Sequence, residues 1–416
     1  MARRNVKCCE IEANSEISDF SDSEMDSEED EVEVHGSESE SDYSETETVG
    51  EVAKNGLVWK SVPFAKNEQY IGRKSSKNII IMKPGVTYYA TSHVNSLLSS
   101  FLLYMSPTIQ KIIIENTNNY GQENVQDWCN IDKDSLLAYI GLLILSGVFK
   151  SKNENLLSLY DVENGRPIFA ATMPYKRFKQ ITQALRFDDK STRRSRRLSD
   201  KFSPIRDLWE KWSDVLPKCW NPYVNVTIDE QLVAFRGKCP FRQYMPSKPA
   251  KYGIKFWVNV CAESSYVWRI QPYLGKHESS VPERNQGSRV VIDLISGLKG
   301  HNVTVDNFFT SYELGQMLLQ RKLTMVGTIR KNKSSIPPKL LNVKLPVFTS
   351  TFAYTKDTTL VSYIGRKNKC TILQSTLHSN GRILDGENHL PEIIHFYNCT
   401  KGMSMYNLIF CFLHYM

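Results

Sequence analysis

Short-spaced cysteine pairs are missing. The nine cysteines (Cys8, Cys9, Cys129, Cys219, Cys239, Cys261, Cys370, Cys399 and Cys411) contain no C-x-x-C, so no zinc site can be read from their spacing. An odd count without a disulfide framework fits a reducing compartment, cytosol or nucleus. Long apolar runs are missing too. The longest nearly apolar stretch, "LLAYIGLLILSGVF" from Leu136 to Phe149, has 14 residues. That is too short to span a bilayer and reads as a buried helix. The opening "MARRNVKCCE" has no apolar core, so no signal peptide is expected there. No internal repeat is visible. The sharpest absence is of bases: between Glu10 and Glu51 there are 18 Asp and Glu and no Lys or Arg.

A segment so acidic and so poor in apolar residues cannot bury enough surface to offset its ordering entropy, so residues 1–55 are expected to form a disordered tail. It reads as a solvated tail, as a competitor for basic surface elsewhere in the chain, or as a substrate of an acid-directed kinase. Beyond Glu51 the balance reverses. Residues 52–416 hold 49 Lys and Arg against 27 Asp and Glu, a net of about +22. A body that basic argues for a polyanionic partner, with nucleic acid first.

Residues 56–95 read as an irregular linker. From Ser96 to about residue 220 the pattern is helical: "SLLSSFLLYM", "TIQKIIIENTNNY" and "DKDSLLAYIGLLILSGVF", with Pro107 interrupting the first. "TMPYKRFKQITQAL" opens with Thr172 as expected N-cap, and Phe178, Ile181 and Leu185 recur at helical spacing. "STRRSRRLSDKF" then places Arg193, Arg194, Arg196 and Arg197 together. From about Asn221 strands dominate. "YVNVTIDEQLVAF" carries Asp229. "YGIKFWVNVCA" and "YVWRIQPYLG" form a hairpin through Glu263, Ser264 and Ser265. A helix in "SRVVIDLISGL", a strand "NVTVD" ending at Asp306, a helix "TSYELGQMLLQRK" and a strand "LTMVGTIR" follow. Three short strands within 336–380 read as an inserted subdomain, and 381–402 returns to the core.

That order gives an α/β fold: an RNase H-like core over 221–335 with a β-rich insertion, preceded by an all-helical region and the acidic tail. In this plan the first and fourth core strands lie side by side, which would bring Asp229 next to Asp306. Two carboxylates that close repel unless a cation sits between them. Mg²⁺ prefers oxygen ligands and is often held by one or two carboxylates plus phosphate oxygens. Two such ions can activate water and stabilise a leaving oxygen in phosphodiester cleavage. The competing reading makes Asp306 a helix cap, but Thr310, with Glu313 in a capping-box pattern, is better placed for that.

The blocks "VTIDEQLVAFRGKCPFRQYMPSKPAKYGIKFWVNVCAES" and "VTVDNFFTSYELGQMLLQRKLTMVGTIRKNKSSIP" resemble the central blocks of piggyBac-type transposases. So do "MPYKRFKQITQALRFDD", "FAYTKDTTLVSYIGRKNKCTILQSTLH" and "PEIIHFYNCTKG", from about Ser96 to Gly402. The resemblance implies a nuclear, DNA-binding cut-and-paste transposase of the DDE superfamily. It implies catalytic, metal-binding aspartates at Asp229 and Asp306 with two Mg²⁺ ions, DNA as partner, and a homodimer as one option. No membrane and no small-molecule substrate are expected. The family follows "YNxTKG" with a glycine, a valine and a third aspartate. Here Met405 stands in that place, in a divergent stretch 403–416 expected to be a truncated C-terminus. Methionine is a soft, neutral ligand and a poor substitute for a carboxylate on Mg²⁺. The expectation is weakened metal binding and weak or absent cleavage, leaving a DNA-binding or regulatory protein, or a relic.

Basic residues flank the first aspartate strand: Arg236, Lys238, Arg242, Lys248, Lys251 and Lys255. They are expected to hold the phosphate backbone, with Tyr244 and Tyr252 stacking on unpaired bases. The Arg193–Arg197 cluster is expected to grip DNA, to serve as a nuclear localisation signal, or both. Asn307 reads as a turn residue or as support for a metal shell.

Overall fold

The computed structural model describes residues 50–64, 80, 82–275 and 283–402. The acidic segment up to residue 49 and the divergent stretch from Met403, including Met405, lie outside the described residues, as do the expectations made for them.

Helices make up the first half: α1 (Leu97–Tyr104), α2 (Pro107–Asn124), α3 (Lys133–Val148), α4 (Tyr175–Ala184), α5 (Arg193–Ser199) and α6 (Arg206–Ser213). Pro107 separates α1 from α2 by opening the second. A proline is tolerated in the first turn, where its missing N–H is not needed, and the Ser106 hydroxyl caps the turn by accepting from the Ile109 N–H (3.4 Å). The helices meet in a shared core of Ile109, Ile113, Leu136, Leu142, Phe169, Phe178 and Ile181. Thr172 does not cap α4, contrary to expectation. It ends the preceding helix Pro167–Thr172, its hydroxyl donating to the Ile168 carbonyl (2.7 Å). Pro174 pushes Met173 into extended backbone, so α4 starts only after the proline. No single helix among the described residues is long and apolar enough to cross a membrane.

The second half is built on one nine-stranded sheet. Its strands are β1 (Asn225–Ala234), β2 (Gln243–Tyr244), β3 (Tyr252–Cys261), β4 (Val267–Pro272), β5 (Asn302–Val305), β6 (Thr324–Thr328), β7 (Ser350–Tyr354), β8 (Thr359–Arg366) and β9 (Lys369–Ser375). The order is β7-β8-β9-β6-β5-β1-β3-β2, with β4 on the outer side of β3. β1, β3 and β4 are antiparallel neighbours, while β5 lies parallel between β1 and β6. Helix α7 (Gln286–Leu294) connects β4 to β5, and α8 (Tyr312–Gln320) connects β5 to β6. Both helices bury their apolar stripes on the sheet, with Val290, Val291, Leu294, Leu314 and Leu318 against Val226, Ile228, Val303 and Val305. This is the RNase H-like plan.

Three local readings change. The strands within 336–380 form no separate layer: β9 pairs with β6 antiparallel (Val326 opposite Ser375), so β7–β9 extend the central sheet. The open backbone edge of β6 is satisfied by that addition. The stretch 56–95 is not an irregular linker throughout. A hairpin pairs Glu51–Val52 with Val58–Trp59, and Trp59, 1 % exposed, sends its indole N–H to the Ser335 carbonyl (2.9 Å). Ser311, not Thr310, caps α8, accepting from the Leu314 N–H (3.1 Å). Thr310 instead donates its hydroxyl to the Asp306 carbonyl (2.7 Å), which closes the turn before the helix. A last helix, α9 (Glu392–Thr400), lays Ile393, Ile394 and Tyr397 against Val326 and Leu373.

Candidate metal centre and nucleic-acid face

β1 and β5 are parallel and in register from Asn225–Asn302 to Ile228–Val305. Asp229 and Asp306 come next on each strand, so the register sets the two residues side by side on neighbouring strands, whose backbones run about 4.8 Å apart. Val226, Ile228, Val303 and Val305 fix that register by burying their side chains in the core below. Each carboxylate is held by the backbone. Asp229 accepts from the Glu230 N–H (2.7 Å), and Asp306 accepts from the Phe308 N–H (3.0 Å). The carbonyl of Asp306 also takes the Thr310 N–H (3.1 Å). Gly287 on α7 lets this turn pack closely, since a Cβ there would stand 2.8 Å from the Phe308 carbonyl oxygen.

The electrostatics are those of crowded negative charge. Burial, followed by the charge of Asp306, pushes Asp229 up to about 6. Burial also raises Asp306, against the Phe308 hydrogen bond; the charge of Glu230 raises it further and that of Arg330 lowers it. Such a pair favours a proton or a cation between its members. Oxygen-only donors of this kind suit a hard divalent ion. Among the described residues, no group of three or more His, Cys, Asp and Glu side chains could hold a metal ion.

Several neighbours were not singled out by the sequence. Arg330, just past the end of β6, donates to Asn307 Oδ1 (3.4 Å) and offsets the charge of Asp306. Asn307 is therefore a partner of Arg330. The buried Tyr397 of α9 hydrogen-bonds Thr328 and feels both aspartates; burial raises its pKa first, their charges further. Thr400 joins the same floor, its hydroxyl 2.8 Å from that of Thr304 and its carbonyl accepting from Thr227. The available signal for Arg330 was its place at the end of the strand beside "NVTVD".

The basic residues sort into two groups. Arg236, Lys238 and Arg242 are exposed on the loop after β1, and Lys251 is exposed on the connection from β2 to β3. Arg242 braces that loop through the Arg236 and Gly237 carbonyls (2.8 and 3.1 Å) and lies over Tyr252 (5.4 Å). Tyr244 and Tyr252 are exposed side by side, ring centroids 4.7 Å apart. Lys255 departs from the expected surface position. It is only 8 % exposed, pairs with Glu230 (2.6 Å) and is ringed by Trp257, Tyr273 and Phe308, so it is not a surface cation. Lys248 approaches the same carboxylate at 3.6 Å. Arg193 and Arg196 are likewise turned inward, both onto the buried Asp188. Arg194 and Arg197 are exposed. His301, buried between the Lys299 and Pro222 carbonyls, is structural.

A strand order of β4-β3-β1-β5-β6 with an aspartate at each of two adjoining central positions is that of an RNase H-like core. The family model for transposase IS4 matches residues 98–405, and the chain belongs to this family, in its piggyBac-type branch. Two human relatives are similar over 237 residues at 24 % identity: PiggyBac transposable element-derived protein 3 and the Chimeric ERCC6-PGBD3 protein. The match covers 55 % of this chain but only 39 % of the first and 22 % of the second. A cryo-EM structure of a piggyBac transposase synaptic complex with hairpin DNA superposes with a TM-score of 0.72 at 32 % identity. It covers 77 % of this chain and 69 % of that one. The family generally uses a divalent metal.

Proposed function

We propose that this protein is a transposase-derived DNA-binding protein in which strand cleavage is weak or absent. The observation that carries it is the side-by-side placement of Asp229 and Asp306, with β1 running on from Asp229 into an exposed basic, aromatic loop, on a body of about +22. Asp229 and Asp306 would hold Mg²⁺, which when bound neutralises phosphate charge and lowers the pKa of water for phosphodiester cleavage. The chain's own residues do the rest. The Glu230 and Phe308 N–H groups orient the two carboxylates. Arg236, Lys238, Arg242 and Lys251 hold the phosphate backbone, and Tyr244 and Tyr252 offer ring faces to unpaired bases. Met405, where the family carries its third aspartate, brings no hard oxygen, so the ligand set is one carboxylate short. DNA as partner and a nuclear location belong to this proposal. The DNA-bound state of the structural relative supports the first.

The test is fluorescence anisotropy with labelled duplex DNA across a salt series, beside a Mg²⁺-dependent nicking assay. Binding should weaken steeply with salt, because association releases counterions from phosphates. A flat response would refute direct backbone contact. Nicking should stay at background in the native chain and rise in Met405→Asp. Nicking by the native chain at several times background would refute the loss of cleavage.

A further inference from the structure

The arginine-rich helix α5 carries two kinds of arginine. Asp188, with a side chain 3 % exposed, receives Arg193 and Arg196 together. Arg193 donates to both of its oxygens through Nε (3.1 Å each). Arg196 adds bonds to the Asp189 and Ser203 carbonyls (2.9 and 3.1 Å). These two side chains are donors fixed in a buried network, and they lock the helix onto the body. Arg194 and Arg197 lie on the other face, exposed and three residues apart, hence neighbours on the helix surface. Neither makes an ion pair with a described residue.

Nearby acids do not answer them. Asp188 is shared by the inward pair, and Asp200 is taken by Arg206 through two bonds of 2.7 Å. Like charges at this spacing destabilise an isolated helix, so the outward pair sits on a support that other contacts hold in place. The support joins the site already described. Phe202, just after α5, packs edge-on against Phe241 (5.9 Å), the residue before Arg242. The chain leaving α5 is therefore anchored, through this buried ring contact, beside the basic loop that follows β1.

We infer that Arg194 and Arg197 form a phosphate-backbone contact for duplex DNA outside the metal centre, while Arg193 and Arg196 only hold α5 in place. This rests on the DNA-binding reading above. The pair contacts phosphates without reading bases, so it adds affinity uniformly across sequences.

The experiment uses the full chain and labelled duplexes of two unrelated sequences, with anisotropy measured from low to high salt. Arg194→Ala/Arg197→Ala should weaken binding equally on both sequences and lower the slope of log affinity against log salt by about 1 per arginine. Its thermal midpoint should stay at or slightly above the native value, since the exposed like-charge repulsion is removed. Arg194→Lys/Arg197→Lys should keep most of the slope, because the charge remains. Arg196→Ala should lower the midpoint and leave the slope of the remaining folded protein unchanged. A native slope with the double alanine variant, or an equal slope loss in Arg196→Ala, overturns the assignment. So does an unchanged slope joined to loss of nuclear accumulation of a fluorescent fusion, which would make the cluster an import signal. Failure of the native chain to bind DNA at all is distinguishable from these and removes the underlying reading with it.

Discussion

Replacing Asp229 by Asn removes one of two facing charges and keeps the oxygen that accepts from the Glu230 N–H. The ordinary carboxylate value is 3.8, and burial with Asp306 pushes it up to about 6. That difference corresponds to roughly 3 kcal/mol of ionisation penalty in the folded state at pH 8 without metal. Partial access to solvent reduces it, so the variant should be about 1–3 kcal/mol more stable there. The sign follows from proton linkage. The folded state binds the proton more tightly than the unfolded state, so the penalty is full above pH 6 and fades as pH falls towards 3.8. The advantage of Asp229→Asn should shrink across that window. Saturating Mg²⁺ should shrink it as well, since an ion bound only to the folded native chain stabilises it by about 2.7 kcal/mol at a hundredfold excess over Kd. Thermal melts at pH 8, 6 and 4, with and without Mg²⁺, give the comparison. A variant less stable than the native chain at pH 8, or a gap insensitive to both acid and Mg²⁺, would refute the paired-carboxylate account.

Lys255→Met should cost about 1–3 kcal/mol, because the largely buried Glu230 carboxylate is left with only Lys248 at 3.6 Å. Adding Glu230→Gln should recover most of it, and urea unfolding of both variants reads the difference. Trp59→Ala should cost about 3–5 kcal/mol, because it empties a fully buried position and frees the Ser335 carbonyl. A near-neutral result in denaturant would show that the hairpin is peripheral. Gly287→Val should shift the turn carrying Asp306, costing about 1–3 kcal/mol by overpacking. It should also weaken Mg²⁺ binding in calorimetry.

The alternation in "VNVTI" and "NVTV" was legible as two inner strands, and the order of elements placed Asp229 beside Asp306. Capping was less legible. Thr310 and Ser311 both offer a hydroxyl at the start of α8, and which one caps depends on the turn that Asp306 imposes before it. The extension of the sheet by β7–β9 was also hidden, because strand pairing at an edge is decided by backbone partners far apart in sequence.

Composition and local pattern by themselves determined that the protein has a basic body, a helical half, a strand-rich half and two aspartates at inner strands. These depend on periodicity and charge count, which need no knowledge of distant contacts. Only the tertiary structure decided which cations face solvent. Glu230 takes Lys255 across the β1–β3 ladder, and the burial of Asp188 draws in Arg193 and Arg196. A buried carboxylate must be paired, and the fold, through burial, selects which of several chemically identical side chains supply the pairing and which are left to meet a partner.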